Sequence, residues 1–357
     1  MMFTINNCFH LKIVPMPTSH LSKAALLMLL IVVASLVSWE YFWRSKGYDL
    51  GYNDDAGLWR KNRLKVYGPA DKTTVFIGSS RIKFDLDIPA WEKSTGERAV
   101  QLSLHGSNPR PALHDLANDE NFKGKLVIDI TEGLFFSLRP ETALKERVDY
   151  AGDASPSNKI SDQIGFVLES AFLFLDKDLF ALNAMLIDLR IPDRKGVRGD
   201  VIFPPKFSYV NFERQEIMSE TFAKDTVMQR RQTDIWTMFG ALSKQHAPAG
   251  DTLQKTLDEV KKSVAKIIAR GGRVIFVRTP SSGGYWENEP LQYPRAEYYD
   301  QLLSSTGCQG IHFKDYPDMA NLVCPEWSHL TKEDAVLYTH ALIKALQQQQ
   351  WFSPAKQ

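Results

Sequence analysis

Three short apolar runs, each followed by a helical pattern, constrain this chain more than anything else in it. They are Thr73–Ile77, Ala99–Leu104 and Leu126–Ile130. Thr73–Ile77 and Leu126–Ile130 lack polar alternation, so they read as strands covered on both faces. Strand-then-helix repetition is the signature of a parallel sheet with crossover helices. A later helix is predicted from Leu253, Leu257, Val260, Val264, Ile267 and Ile268 at helical spacing, ended by Gly271-Gly272, and Arg273–Val277 is the next strand. The last helix is predicted over Thr331–Leu346, with Thr331 as N-cap and Asp334 three residues on. The expected fold is a three-layer α/β/α sandwich around a mostly parallel sheet.

Two stretches carry the chemistry. The first strand runs into Gly78-Ser79-Ser80-Arg81, a tight turn that exposes a serine. Pro325-Glu326-Trp327-Ser328-His329 stands just before the last helix. A serine needs a base to become a nucleophile, and the base needs an orienting group. Ser80 is therefore the candidate nucleophile, His329 the base and Glu326 the acid, with Asp315 as the other candidate acid. The plain alternatives are a turn serine, a capping histidine and a solvated glutamate. Arg278-Thr279-Pro280-Ser281-Ser282-Gly283-Gly284 follows a strand and is expected to line the site, because open parallel sheets bind ligands at strand carboxyl ends. Arg81 and Arg278 either bind an anionic part of a substrate or pair with local carboxylates. His105 reads as a structural loop histidine.

Gly78-Ser79-Ser80, Leu104-His105-Gly106-Ser107 and Glu326-Trp327-Ser328-His329 together resemble the blocks of SGNH (GDSL-like) hydrolases, between residues 70 and 345. The Gly-Ser-Ser-Arg form resembles that of membrane-anchored bacterial members. The resemblance implies an SGNH/flavodoxin-like sheet, Ser80 as nucleophile, and an oxyanion hole built from the backbone amides of Ser80 and Gly106. It also implies a serine esterase or O-acyltransferase acting on acyl esters of a cell-envelope glycan or lipid-linked polymer, with a membrane acyltransferase as a further partner. The chain departs from the pattern in having Ser79 and Glu326 where the family has aspartates. A third departure is Thr131-Glu132-Gly133, which follows the middle strand without the family's asparagine. Either that turn's backbone or Asn108 substitutes, or the oxyanion hole is weaker; one lost donor can cost about a hundredfold in rate. The other reading is a non-catalytic envelope module of the same fold that binds a glycan or a partner membrane protein.

The first fifty residues differ from the rest. Residues 24–43 are apolar except for Ser35, Ser38 and Glu40, with Trp39, Tyr41, Phe42 and Trp43 at the exit. About twenty such residues span a bilayer, and clustered aromatics suit its interface. A single-pass signal anchor is expected, a cleaved signal peptide being the rival reading. Lys12 and Lys23 precede the apolar run, and Arg44, Lys46, Arg60, Lys61 and Arg63 follow it. That count alone favours a cytoplasmic domain, but long domains translocate largely regardless of charge. Cys308 and Cys324 bracket one loop, which suits a disulfide in an oxidising compartment, although two unrelated buried thiols fit as well; Cys8 stands alone. With the resemblance added, the expected location is a bacterial inner membrane, the domain facing the periplasm or cell exterior.

The expected organisation is a tail over 1–23, an anchor over 24–43, and a linker with an approach helix over 44–71. An SGNH-like domain over 72–350 follows, with a helical insertion at 140–249. Within the insertion, Phe166–Leu189 reads as two buried helices joined at Asp176-Lys177-Asp178, or else as a cap against the membrane or the active site. Arg194–Gly199 reads as an exposed loop. The net charge of +1 over 357 residues gives no argument for a nucleic-acid partner. No cluster has metal-ligand spacing and no Gly-rich phosphate loop follows a strand, so neither metal nor cofactor is expected.

Overall fold

The structure, a computed structural model, describes residues 18–186, 203–204, 206–242 and 247–352. Cys8, Lys12 and the Arg194–Gly199 segment fall outside that set. Two compact units divide the chain at Tyr48. The first holds helix α1 (Thr18–Ser45), which is long and apolar enough to cross a membrane. The apolar run expected over 24–43 is the middle of this longer helix.

The second unit has strands β1 (Thr73–Ile77), β2 (Arg98–Gln101), β3 (Lys125–Asp129), β4 (Ser208–Val210), β5 (Glu216–Met218), β6 (Arg273–Arg278) and β7 (Gln309–His312). Five of them form one sheet in the order β2-β1-β3-β6-β7, every pair parallel. From β1 the chain steps outward to β2, then crosses back to β3 on the other side. The order thus reverses beside β1, and in open α/β sheets the crevice at such a reversal is where ligands gather.

In chain order the α-helices of this unit are α2 (Ala56–Leu64), α3 (Ser80–Asp85), α4 (Ile88–Thr95), α5 (Arg110–Asn118), α6 (Glu132–Phe135), α7 (Thr142–Asp153), α8 (Pro156–Ala171), α9 (Lys177–Phe180) and α10 (Leu182–Leu186). They continue with α11 (Glu220–Lys224), α12 (Thr226–Leu242), α13 (Gly250–Ala269), α14 (Gly283–Gln292), α15 (Tyr299–Thr306), α16 (Pro317–Ala320) and α17 (Lys332–Gln348). Alternation along the strands feeds two cores. Val75, Ile77, Leu126 and Ile128 pack with Leu113 and Leu116 of α5 and with Leu257, Val260 and Val264 of α13. Phe76, Val127, Ile275 and Val277 point the other way, onto Trp91 of α4 and onto Tyr338, Leu342 and Leu346 of α17. These are the three layers that the apolar runs require, because a strand buried on both faces needs a helix on each. Thr331 caps α17 as expected, its side chain accepting from the Asp334 amide at 3.1 Å.

Three expectations need correction. The 140–249 insertion is not purely helical, since it carries the antiparallel β4–β5 pair. The segment from Phe166 is not a pair of buried helices: among the described residues of 166–186, only Phe166, Leu173 and Asp176 are buried. Finally, Cys308 and Cys324 are both free. Cys308 packs against the core under α13 and Cys324 lies in the core under α17, so the sheet separates them. A disulfide needs alpha carbons within about 7 Å, which that placement does not offer. The oxidising-compartment argument from these thiols falls with the bridge.

Candidate active site

The end of β1 is built to present a hydroxyl. A side chain on Gly78 would lie 2.5 Å from Asp129 Cβ and 2.6 Å from Ile82 Cγ2, so only glycine lets the chain turn there. Ser79 is the N-cap of α3, and its hydroxyl pairs with Thr131 Oγ1 at 2.7 Å. Ser80 is the first residue of that helix and is half-buried. First-turn amides of a helix have no partner within it, so the Ser80 N–H, at the start of α3, is a donor not used inside the helix.

The loop before α17 supplies the base. His329 Nε2 lies 2.8 Å from Ser80 Oγ, and His329 Nδ1 lies 2.9 Å from Glu326 Oε1. Glu326 is fully buried. Its Oε1 also accepts the amides of Ser328 (3.2 Å) and His329 (2.6 Å), while Oε2 accepts the Trp236 indole N–H at 2.6 Å. The loop turns back on itself through Trp327, whose φ is 80°. That tight turn lets the extra methylene of glutamate reach its own loop's amides and the imidazole together. Asp315 plays no such part; it is paired with the exposed Arg295 at 2.6 Å.

Packing fixes the imidazole plane. Phe84 stacks on His329 with ring centroids 4.2 Å apart, and Phe207 and Trp236 approach at 5.8 Å and 6.3 Å. The next residue is held from below, since the Leu330 amide donates to Asp85 Oδ1 at 3.0 Å. Helix α3 therefore carries the nucleophile at its start and grips the base's loop at its end. On the other side, Ser282 donates its amide to the Trp327 carbonyl at 2.9 Å, so the 278–284 loop supports the histidine loop.

Asp85 is buried and its Oδ2 has no partner. Burial pushes its carboxyl well above the ordinary 3.8, and the charges of Asp129 and Glu326 add to that against the Leu330 bond. The native state thus keeps a proton that the unfolded chain releases. Stability contributed by this group is complete below the ordinary carboxylate range and declines as pH rises toward the folded value. Asp85→Asn removes that penalty. Urea denaturation should show a gain for the variant that is near zero at about pH 4 and grows by about 1.4 kcal/mol per pH unit above it. A gain that does not grow with pH contradicts the neutral carboxyl.

The second block lies beside the serine turn. The Leu104 amide pairs with the Gly78 carbonyl at 3.4 Å, and Gly106, at φ 56°, follows two residues later as Ser80 follows Gly78. His105, next to it, contacts Glu216 of β5. Glu216 also accepts from Lys83 of α3 at 3.1 Å and from Ser208 of β4 at 2.6 Å. The insertion hairpin thereby ties the glycine turn to the serine helix. Burial would raise Glu216, but the charges of His105 and Lys83 overcome it and hold the carboxyl at about 2.

Other expected site residues are engaged elsewhere. The Asn108 side-chain amide donates to the Ser137 carbonyl at 3.2 Å, and its oxygen accepts from the Arg110 amide at 3.0 Å, so both ends of the side chain are bonded to neighbouring backbone. Thr131 turns its hydroxyl to Ser79 and Asp129, and Glu132 pairs with Arg278 at 3.1 Å. Arg81 and Arg278 are buried and share Glu289, and Arg278 also donates to Ser281 at 2.8 Å. They are internal braces rather than substrate contacts, because a buried guanidinium is retained only with its carboxylate partners. Arg81 additionally reaches the Ser328 hydroxyl at 3.4 Å.

Trp236, Phe84, Phe207, Asp85 and Glu216 were not legible as site residues. Only Asp85 left a signal, a lone acid between apolar Phe84 and Leu86 at the end of a short helix. What the residues assemble is a serine, a histidine and a carboxylate in hydrogen-bonded series at the sheet's switch point. No protein-family model matches this chain, and no curated protein is significantly similar to it.

Proposed function

We propose that this domain is an SGNH-type serine esterase or O-acyltransferase, with Ser80 as nucleophile, His329 as general base and Glu326 as its orienting acid. The observation that carries the reading is the series Ser80 Oγ to His329 Nε2 at 2.8 Å and His329 Nδ1 to Glu326 at 2.9 Å. Glu326 keeps the Nδ1 proton in place, which leaves Nε2 free to accept from Ser80. His329 takes the Ser80 proton as Oγ attacks an ester carbonyl, and the amides of Ser80 and Gly106 receive the oxyanion. On collapse the alcohol leaves with that proton, and Ser80 holds the acyl group. Water or a sugar hydroxyl then attacks, giving its proton to His329, and Ser80 is released. Water makes the protein an esterase and a hydroxyl makes it a transferase.

Helix α1 supports a single-pass membrane anchor; a bacterial inner membrane with the domain on its extracytoplasmic side is what the SGNH resemblance implies. Acyl esters of an envelope glycan or lipid-linked polymer are the substrates that suit such a placement, and a membrane acyltransferase is the partner that would supply them. Ser80→Ala should reduce turnover of a small aryl ester to the uncatalysed background, a loss of at least about a thousandfold, with an unchanged denaturation midpoint. Equal turnover by the two proteins would remove the reading. The second reading, a non-catalytic glycan- or partner-binding module, is favoured by one observation: the Asn108 amide is committed to Ser137, and the 131–133 turn brings no side-chain donor to the crevice.

A further inference from the structure

Helix α8 is mounted inside out. Its acids face the domain: Asp162 accepts from the Tyr150 hydroxyl at 3.0 Å, and Glu169 accepts from the Asn53 side chain at 2.7 Å. Phe166, on the same side, is buried against Phe212. The outward side is apolar. Ile160, Ile164, Val167 and Leu168 are 62%, 56%, 68% and 43% exposed. Their spacing of four, three and one residues makes one stripe about 100° wide on a helix of 3.6 residues per turn. Ser161, Gln163 and Ser170 flank it, so no carboxylate faces outward along it. Scattered exposed apolar side chains are ordinary, but a continuous stripe opposite a hydrogen-bonded acidic side is not. Leu182 and Leu186 of α10 continue the exposure at 73% and 42%.

The place of α8 along the chain indicates what covers the stripe. Its inner side is bonded to the segment that leaves α1: Asn53 holds Glu169 and also donates to the Leu175 carbonyl at 3.1 Å. A side chain on Gly57 would meet Asp162 at 2.6 Å. Seven residues lie between Ser45, the end of α1, and Asn53, so eight steps of chain join them. Fully extended they reach at most about 28 Å. A bilayer crossed by α1 is therefore an apolar phase within reach of α8.

We infer that the outward face of α8 is an interfacial membrane-binding surface, which seats the catalytic domain on the bilayer that α1 crosses. The inference rests on the reading of α1 as an anchor and not on the chemistry of Ser80. Apolar side chains of such a helix sink about 5–10 Å into the boundary between headgroups and acyl chains. A domain seated in this way works on acyl donors or acceptors presented at the lipid surface.

The test uses the full chain in vesicles of phosphatidylcholine with a minority of phosphatidylglycerol. Spin labels are placed singly through Ile164→Cys, Val167→Cys or, on α17, Leu337→Cys, in a background carrying Cys8→Ser and Cys308→Ser. Leu337 is as exposed as the stripe but belongs to another face, so it reports ordinary solvent exposure. Collision with oxygen relative to a water-soluble nickel chelate should be about tenfold higher at 164 and 167 than at 337. Equal chelate access at all three sites overturns the inference. So does shielding from both quenchers with spin–spin broadening, because that assigns the face to a second copy of the chain. Flotation of the same vesicles separates the two claims. Protein that fails to float refutes the anchor, whereas protein that floats with chelate-accessible stripe labels refutes only the α8 surface.

Discussion

Glu326→Gln should lower the rate of acyl transfer to Ser80 by about a thousandfold to ten-thousandfold while the protein stays folded. The reason lies in the donors around the carboxylate. One oxygen takes the His329 imidazole and two loop amides, and the other takes the Trp236 indole. A glutamine has one acceptor oxygen. If it faces the imidazole and loop amides, its NH2 group meets the indole N–H. If it faces Trp236, the NH2 group opposes the histidine, and the imidazole must present its lone pair at Nδ1 and its proton to Ser80. Either arrangement also removes the negative charge that stabilises imidazolium as the proton leaves Ser80. Pre-steady-state acylation with an aryl ester reads this directly. Trp236→Phe is the companion variant: it leaves the carboxylate charged with one acceptor unpaired, and should cost only about tenfold. An effect of Glu326→Gln no larger than that of Trp236→Phe would show that the carboxylate only shapes the loop.

The largest stability effect is expected at Glu216. Its carboxylate serves the buried Lys83, the hydroxyl of Ser208 and the imidazole of His105. Held at about 2 against the ordinary 4.5, it contributes stability that is complete above about pH 4.5 and lost as pH falls toward 2. The corresponding free energy is about 3 kcal/mol, in keeping with the about 3–5 kcal/mol that breaking a buried ion pair costs. Lys83 keeps Asp54 at 2.7 Å, which places the expected loss for Glu216→Gln at the low end of that range. Urea denaturation of the two proteins should differ by about 3 kcal/mol at pH 7 and converge as the pH is lowered through the acid range. A difference that stays at about 3 kcal/mol down to about pH 2 would mean that packing, not charge, is what Glu216 supplies.

The sheet was legible because its strands are buried on both sides: Thr73–Ile77 and Leu126–Ile130 have no alternation to confuse with an exposed face. Ser80 and His329 were legible for a related reason. Each sits directly against an element the sequence marks strongly, the serine after β1 and the histidine before a capped helix. Glu326 followed from its spacing to His329, although only the structure shows how Trp327 turns the loop to accommodate a glutamate. The supports were not legible because they arrive from distant segments. Trp236 and Phe207 come from the insertion, where apolar residues report a hydrophobic position but not which ring they touch. Arg81 and Arg278 looked like anion ligands because a sequence does not reveal that Glu289 lies between them. Val167 and Leu168 of the α8 stripe were read as buried because an apolar run marks hydrophobic residues, not whether their face turns toward protein. The cysteine pair failed for a similar reason: closeness in sequence says nothing about which side of a sheet each thiol occupies.

The central claim is that Ser80 is a nucleophile activated by His329. The measurement that reaches it most directly is intact-mass and peptide-mapped labelling of the purified full chain with a fluorophosphonate. We expect one adduct per chain, located on Ser80 and absent from Ser80→Ala. In His329→Ala it should form at least about a hundredfold more slowly. A folded protein that takes no label, or takes it at another residue, would contradict the assignment and leave the binding-module reading in its place.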